Sequence, residues 1–191
     1  YSIQRVHIPL SGKDLCKKDG APIPESVGLI SCGITIIACI FTEVSNNVLF
    51  PITAALLLGF MDDVINIPWR MKLILPAIAS LPLEFETSKI DIGGIFIDIG
   101  GLYPIFGTLL CVYCSNAINI LAGINGIEVG QSMVIAITFM TINYNTWPLL
   151  MPFVSTSIVL FCFNWYPASV FVGDSFTSFA GMIFAVTGLV F

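Results

Sequence analysis

Apolar residues recur in blocks along this chain, at about 27–41, 48–60, 73–83, 102–114, 132–142, 148–163 and 176–191, with short polar stretches between them. Blocks of this length predict helices, and their near-total lack of charge predicts helices in lipid. Most are shorter than the roughly 20 residues needed to cross a hydrocarbon core, so the helices must extend into their polar flanks. The third block is the weakest, because Pro76 and Pro82 interrupt it. Between the third and fourth blocks, residues 88–99 alternate around Gly93-Gly94, which predicts a β-hairpin outside the membrane. The expected fold is an all-α polytopic membrane protein with about seven spans and this one small hairpin, forming a single domain over residues 1–191.

Composition supports that picture. Of 191 residues, 57% are hydrophobic and only 10% charged, and mean hydropathy is +0.96. Soluble domains carry about 25% charged residues. Chain crossing at every block sorts the loops onto two sides. One side receives Arg5, Lys13, Lys17, Lys18, Arg70 and Lys72, and the other receives only Lys89. The positive-inside tendency makes the first side cytosolic. No basic stripe suits nucleic acid. His7 is the sole histidine, which excludes Ser-His-Asp and Cys-His catalysis within these residues. Cys111 and Cys114 are formally CxxC, but they lie in an apolar block without a second ligand pair and read as small buried hydrophobes. Both ends read as cut, since the chain starts at Tyr1 and stops at Phe191 inside an apolar block. The expectation is a part of a longer protein.

The candidate chemistry lies on the basic side. Residues 115–128, SNAINILAGINGIE, follow an apolar block yet hold three asparagines and a glutamate. An unpartnered amide in an apolar medium costs roughly 2–7 kcal/mol, so such residues face a cavity, a ligand or another helix. Asn116 and Asn119 share a helical face at a spacing of three. Asp62-Asp63 ends the second block, with Lys72 beyond it. Paired carboxylates need a cation, hydrogen bonds or water, and magnesium favours such oxygen ligands together with substrate phosphates. A helix end in water explains Asp62-Asp63 equally well. Asp174 reads first as a helix cap and second as a metal ligand. Pro24-Glu25-Ser26 reads first as a turn before a helix, and Asn164-Trp165-Tyr166-Pro167 as an interfacial anchor with a helix stop.

Four segments in order, IPESVGLIS, GFMDDVINIPWRMKLILPAIASLPL, SNAINILAGINGIEVGQS and NWYPASVFVGDSFTSFAGM, resemble the polyprenyl-phosphate N-acetylhexosamine-1-phosphate transferase family. The GINGIE stretch is more similar to its eukaryotic dolichyl-phosphate branch than to the bacterial one. The resemblance implies a multi-pass enzyme of the endoplasmic reticulum membrane with its site on the cytosolic face. It implies transfer of GlcNAc-1-phosphate from UDP-GlcNAc to dolichyl phosphate with release of UMP, the first step of lipid-linked oligosaccharide synthesis for N-glycosylation, and inhibition by tunicamycin. It also implies a Mg2+ cofactor held by Asn119 and Asp174. Asp62 and Asp63 match the acidic pair near the attacking phosphate, Lys72 a phosphate-binding lysine, and Asn116 a residue beside the phosphates. Phe171 would stack on uracil, Gly123, Asn125 and the Leu15 region would read its edge, and Glu25 would contact the nucleoside. Beyond the substrates and the bilayer, a second copy or other glycosyltransferase subunits are the partners to expect. The family's first membrane helix and its later histidine- and arginine-rich loop have no match here, so sugar recognition is not readable. Two other readings are a truncated, non-catalytic membrane paralogue that binds nucleotide sugar or a partner subunit, and a channel. A channel would spread polar residues through membrane depth, whereas these gather at one face.

Overall fold

The computed structural model describes residues 11–13, 22–65, 67–84, 89–92, 95–121 and 123–191. Its helices are α1 (Gly28–Phe41), α2 (Asn46–Ile65), α3 (Trp69–Ser80), α4 (Tyr103–Ile120), α5 (Ile127–Ile142), α6 (Trp147–Asn164) and α7 (Gly173–Val190). Each apolar block is therefore a helix, and most helices run beyond their block into polar sequence. α2 runs to Ile65 and carries Asp62 and Asp63 in its last turns. α4 runs to Ile120 and carries Asn116 and Asn119. α3 passes through Pro76 and stops before Pro82.

The expected count of seven spans is not reached by length and composition. Among the described residues, four helices are long and apolar enough to cross a membrane: α2, α4 with the turn before it, α6 with the turn before it, and α7. α1 and α5 are apolar but shorter, and α3 has 12 residues. At 1.5 Å per residue, 12 residues cover about 18 Å of a core about 30 Å thick.

Strands β1 (Ser11–Lys13) and β2 (Pro22–Pro24) form one antiparallel pair. Strands β3 (Lys89–Ile92) and β4 (Ile95–Asp98) form another, with Lys89 opposite Asp98 and Ile92 opposite Ile95. The second pair is the expected hairpin. The first had no sequence signal.

α7 is the central post. It is 72% buried, against 28–39% for the other three long helices, and it packs on α1, α2, α4 and α5. Small residues permit the close approach that membrane helices use in place of a hydrophobic drive. A Cβ on Gly181 would collide with the Cys114 carbonyl of α4, one on Gly59 with the Asp174 carbonyl, and one on Gly28 with the Val172 carbonyl. Phe153 of α6 seals the centre against Phe176, Phe179 and Phe184, with ring centroids 5.9, 6.2 and 5.9 Å away. α1 shows the reversed amphipathy of a lipid-facing helix. Its inner face is Gly28, Ser31, Cys32, Thr35 and Cys39, while Ile30, Ile34, Ile37 and Phe41 are exposed.

The loops gather at two opposite ends. At one end, Thr42 donates to the Pro148 carbonyl at 2.9 Å, Asn47 to Glu84 at 2.8 Å, and Asn143 to the Phe191 carbonyl at 2.5 Å. At the other end lie the C-termini of α2, α4 and α6 and the N-termini of α1, α3, α5 and α7. That end holds the candidate chemistry.

Candidate active site

Two carboxylates share one lysine where α2, α3 and α7 meet. Lys72, in the first turn of α3, pairs with Asp62 Oδ2 and, at 3.4 Å, with Asp174 Oδ2. Asp62 is buried, and its other oxygen accepts the Ile67 backbone N–H at 2.7 Å, so the turn between α2 and α3 is fastened to the carboxylate that it presents. Sharing the Lys72 ammonium brings the Asp62 and Asp174 carboxyls close together. Burial alone would lower the Lys72 pKa, but the bonds to Asp62 and the charges of Asp174 and Asp62 outweigh it, and the ammonium is held above its usual value. One ammonium between two neighbouring carboxylates leaves room for a shared proton or a further cation.

Asp63 does something different. Its carboxylate accepts the Asp174 and Ser175 backbone N–H groups at 2.6 and 3.1 Å. It therefore closes the N-terminus of α7 from 111 residues away, where a negative charge is favoured by the helix dipole. The side-chain cap expected of Asp174 is absent: no side chain of the α7 entry itself caps the helix, and the Asp174 carboxylate is left to face Lys72. The approach demands glycine at 173, whose φ is +74° and where a Cβ would come within 2.6 Å of Asp63 Oδ2.

α4 supplies the amides. Asn116 donates to the carbonyls of Lys72 at 3.1 Å and Val112 at 2.8 Å, tying α4 to the first turn of α3. Asp62, Lys72, Asn116, Asn119, Ser115 and Ser178 line a cleft of about 30 Å³. Its size suits about two waters by the measure that one needs roughly 10–15 Å³. The Ser115 hydroxyl is buried there without a hydrogen-bond partner. Thus Asp62, Lys72, Asn116 and Asn119 converge on one cleft, and Asp174 joins them through Lys72.

A second group adjoins α7. Residues 24–28 run beside 171–172: Phe171 N–H donates to the Pro24 carbonyl at 2.8 Å, Val27 to Phe171 at 3.2 Å and Gly28 to Val172 at 3.0 Å. This pairing fixes Glu25 and Phe171, both half-buried, on neighbouring strands of chain. The Glu25 pKa is raised, first by burial and then by the Asp63 charge. Gly123 and Asn125 lie in the turn between α4 and α5. That turn is held by Asn164, which accepts the Gly126 N–H at 2.9 Å. Leu15 lies outside the described residues.

Asn164 was not among the sequence candidates. The anchor reading suits Trp165 and Tyr166, which are exposed, but Asn164 is 2% exposed. The signal was available: a carboxamide closing an apolar helix is as anomalous as those of α4. Among the described residues there is no cluster of three or more His, Cys, Asp or Glu able to hold a metal unaided.

The glycosyl transferase family 4 profile matches residues 45–191, which include both carboxylate-bearing helix ends, Lys72 and the asparagine face of α4. The chain belongs to glycosyl transferase family 4. It is similar to proteins named UDP-N-acetylglucosamine–dolichyl-phosphate N-acetylglucosaminephosphotransferase. The one from Dictyostelium discoideum is 36% identical, covering 94% of this chain and 59% of its own length. Those from Saccharomyces cerevisiae and Schizosaccharomyces pombe are each 31% identical, covering 96% and 94% of this chain and 56% and 55% of their own lengths. The chain thus spans a little over half the length of these relatives.

Proposed function

We propose that the protein transfers GlcNAc-1-phosphate from UDP-GlcNAc to dolichyl phosphate, giving GlcNAc-pyrophosphate-dolichol and UMP, at the cytosolic face of the endoplasmic reticulum membrane. The observation that carries this reading is the cleft where Lys72 lies between Asp62 and Asp174 beside Asn116 and Asn119, at the membrane end of a family 4 chain.

A phosphate monoester has a second pKa of about 6, so dolichyl phosphate is largely dianionic at neutral pH and needs no strong base. One of its oxygens attacks the β-phosphorus of UDP-GlcNAc. The bond from that phosphorus to the bridging oxygen breaks, and the electron pair leaves on UMP. The difficulty is bringing two anions together. Lys72 lowers that repulsion and stabilises charge that builds on the bridging oxygen. Asp62 holds Lys72 in place and accepts the Ile67 amide at the start of the approach to α3. Asn116 keeps α3 against α4.

The donor set fits magnesium. Asp174 and Asn119 offer one carboxylate and one neutral oxygen, and magnesium typically takes one or two carboxylates and completes its shell with water and substrate phosphates. When bound, Mg2+ would neutralise the diphosphate and polarise its oxygens. Phe171 offers a ring for stacking on uracil, with Gly123 and Asn125 on the adjoining turn and Glu25 beside it for the ribose.

The test is product identity. Full-length protein in detergent, given UDP-GlcNAc, dolichyl phosphate and Mg2+, should form GlcNAc-pyrophosphate-dolichol by mass spectrometry, and tunicamycin should stop it. A folded protein that yields no such lipid in Mg2+ would reject the transferase.

A further inference from the structure

Asn164 sits between two loops that the proposed site needs and is bonded to both. Its carboxamide oxygen accepts the Gly126 backbone N–H at 2.9 Å, and its nitrogen donates to the Val170 carbonyl at 2.9 Å. One donor and one acceptor partner together fix the amide orientation. Gly126 closes the turn that carries Gly123 and Asn125, and Val170 precedes Phe171 and the Gly173-Asp174 entry to α7. The loop after α6 is folded back further by Ser169, whose N–H donates to the Phe163 carbonyl at 2.8 Å. Gly126 has φ +83°, and a Cβ there would press on the Trp165 ring at 3.1 Å. The turn can therefore approach the end of α6 closely enough for the bond only as glycine.

We infer that Asn164 is a positioning residue that locks the Gly123–Gly126 turn to the Val170–Phe171 segment, so that the two walls of a nucleotide-binding cradle are set as one unit. It touches no reacting atom. It acts by pre-organisation, because a wall that must be ordered on binding subtracts the cost of ordering from affinity. A buried amide with both ends used is expensive to replace, since removing it leaves the Gly126 N–H and the Val170 carbonyl unpaired. The inference rests on the reading of this membrane end as a uridine-nucleotide site.

The experiment is titration of UMP with Mg2+ into the full-length protein, by calorimetry, for wild type, Asn164→Leu and Asn164→Asp, each with its Tm. Thr35→Val serves as the comparison. It removes the 2.7 Å hydroxyl pair with Thr156 between α1 and α6, away from the loops. Asn164→Leu should weaken UMP at least tenfold. Asn164→Asp keeps an acceptor for Gly126 but sets an anionic oxygen against the Val170 carbonyl, and should fall between. Thr35→Val should lower Tm with UMP affinity unchanged. Turnover at saturating UDP-GlcNAc should change less than affinity in both Asn164 variants. Hydrogen exchange on wild type gives a second measure that needs no variant: UMP should slow the amides of 123–126 and 169–171 together. Wild type that binds UMP, with Asn164→Leu binding equally well or with only one of the two loops protected, overturns the inference alone. Wild type that does not bind UMP overturns the nucleotide-site reading and this inference with it.

Discussion

Substituting Asp63 separates two roles for the second carboxylate of the Asp62-Asp63 pair. Both its oxygens accept backbone N–H groups of α7, from Asp174 at 2.6 Å and Ser175 at 3.1 Å. In Asp63→Asn one oxygen can still accept, but the new NH2 group faces the other N–H. One charge-assisted bond is lost, worth about 1.5–3 kcal/mol, along with a negative charge at a helix N-terminus, worth about 0.3–1 kcal/mol. The position is only half-buried, so water recovers part of this and a net loss of about 2 kcal/mol is expected. At about 2–4 °C per kcal/mol for a chain of this size, Tm should fall by about 4–8 °C. Because the same bonds aim Asp174, turnover should fall with it, while UMP affinity stays within a few-fold of wild type. The assay is a thermal shift of detergent-solubilised protein beside steady-state UMP release. An unchanged Tm with turnover lost a thousandfold would refute the capping argument and put Asp63 in direct contact with the reacting phosphate.

Other substitutions probe the rest of the framework. Lys72→Met leaves Asp62 and Asp174 facing each other without their cation, and should cut turnover by at least about 100-fold as judged by initial rates, in line with the loss of preorganised charge stabilisation. Gly181→Ala drives a methyl into the Cys114 carbonyl and Ser115. It should cost about 1–3 kcal/mol of stability by overpacking, read as a lower Tm. The Glu25 pKa is raised in the folded protein, so the folded state binds its proton more tightly than the unfolded one. Its contribution to stability is complete below the unfolded value and is lost as pH rises through the folded value. Glu25→Gln, neutral throughout, should therefore raise Tm relative to wild type at pH 7 and lose that advantage at pH 4, as differential scanning at the two pH values would show.

The helices were legible because lipid-facing apolar blocks carry their own boundaries: each of the seven blocks contains or abuts a helix. Where a helix continued into polar sequence, as α2 does through Asp62 and Asp63, the pattern stopped early, since inward-facing polar residues break hydropathy but not backbone geometry. The count of seven crossings is not confirmed by helix length, because an apolar block does not reveal whether its helix reaches across. Lys72, Asn116 and Asn119 were legible as polar residues out of place. The pairing that makes Asp63 a cap for α7 was not, because it joins positions 111 apart and no local spacing reports it. Asn164 was hidden in a segment whose aromatic neighbours explained it too easily. The β1–β2 pair offered only three residues per strand, too few for an alternation to register.

The most direct test of the central claim is Mg2+-dependent UMP release from UDP-GlcNAc by the full-length protein in the presence of dolichyl phosphate, compared with Asp174→Asn. The expected result is release that needs both dolichyl phosphate and Mg2+ and that Asp174→Asn loses by at least about 100-fold while remaining folded. Release that Asp174→Asn leaves intact, or none from folded wild type, would contradict the assignment of the Asp62–Lys72–Asp174 cleft as the site of phosphoryl transfer.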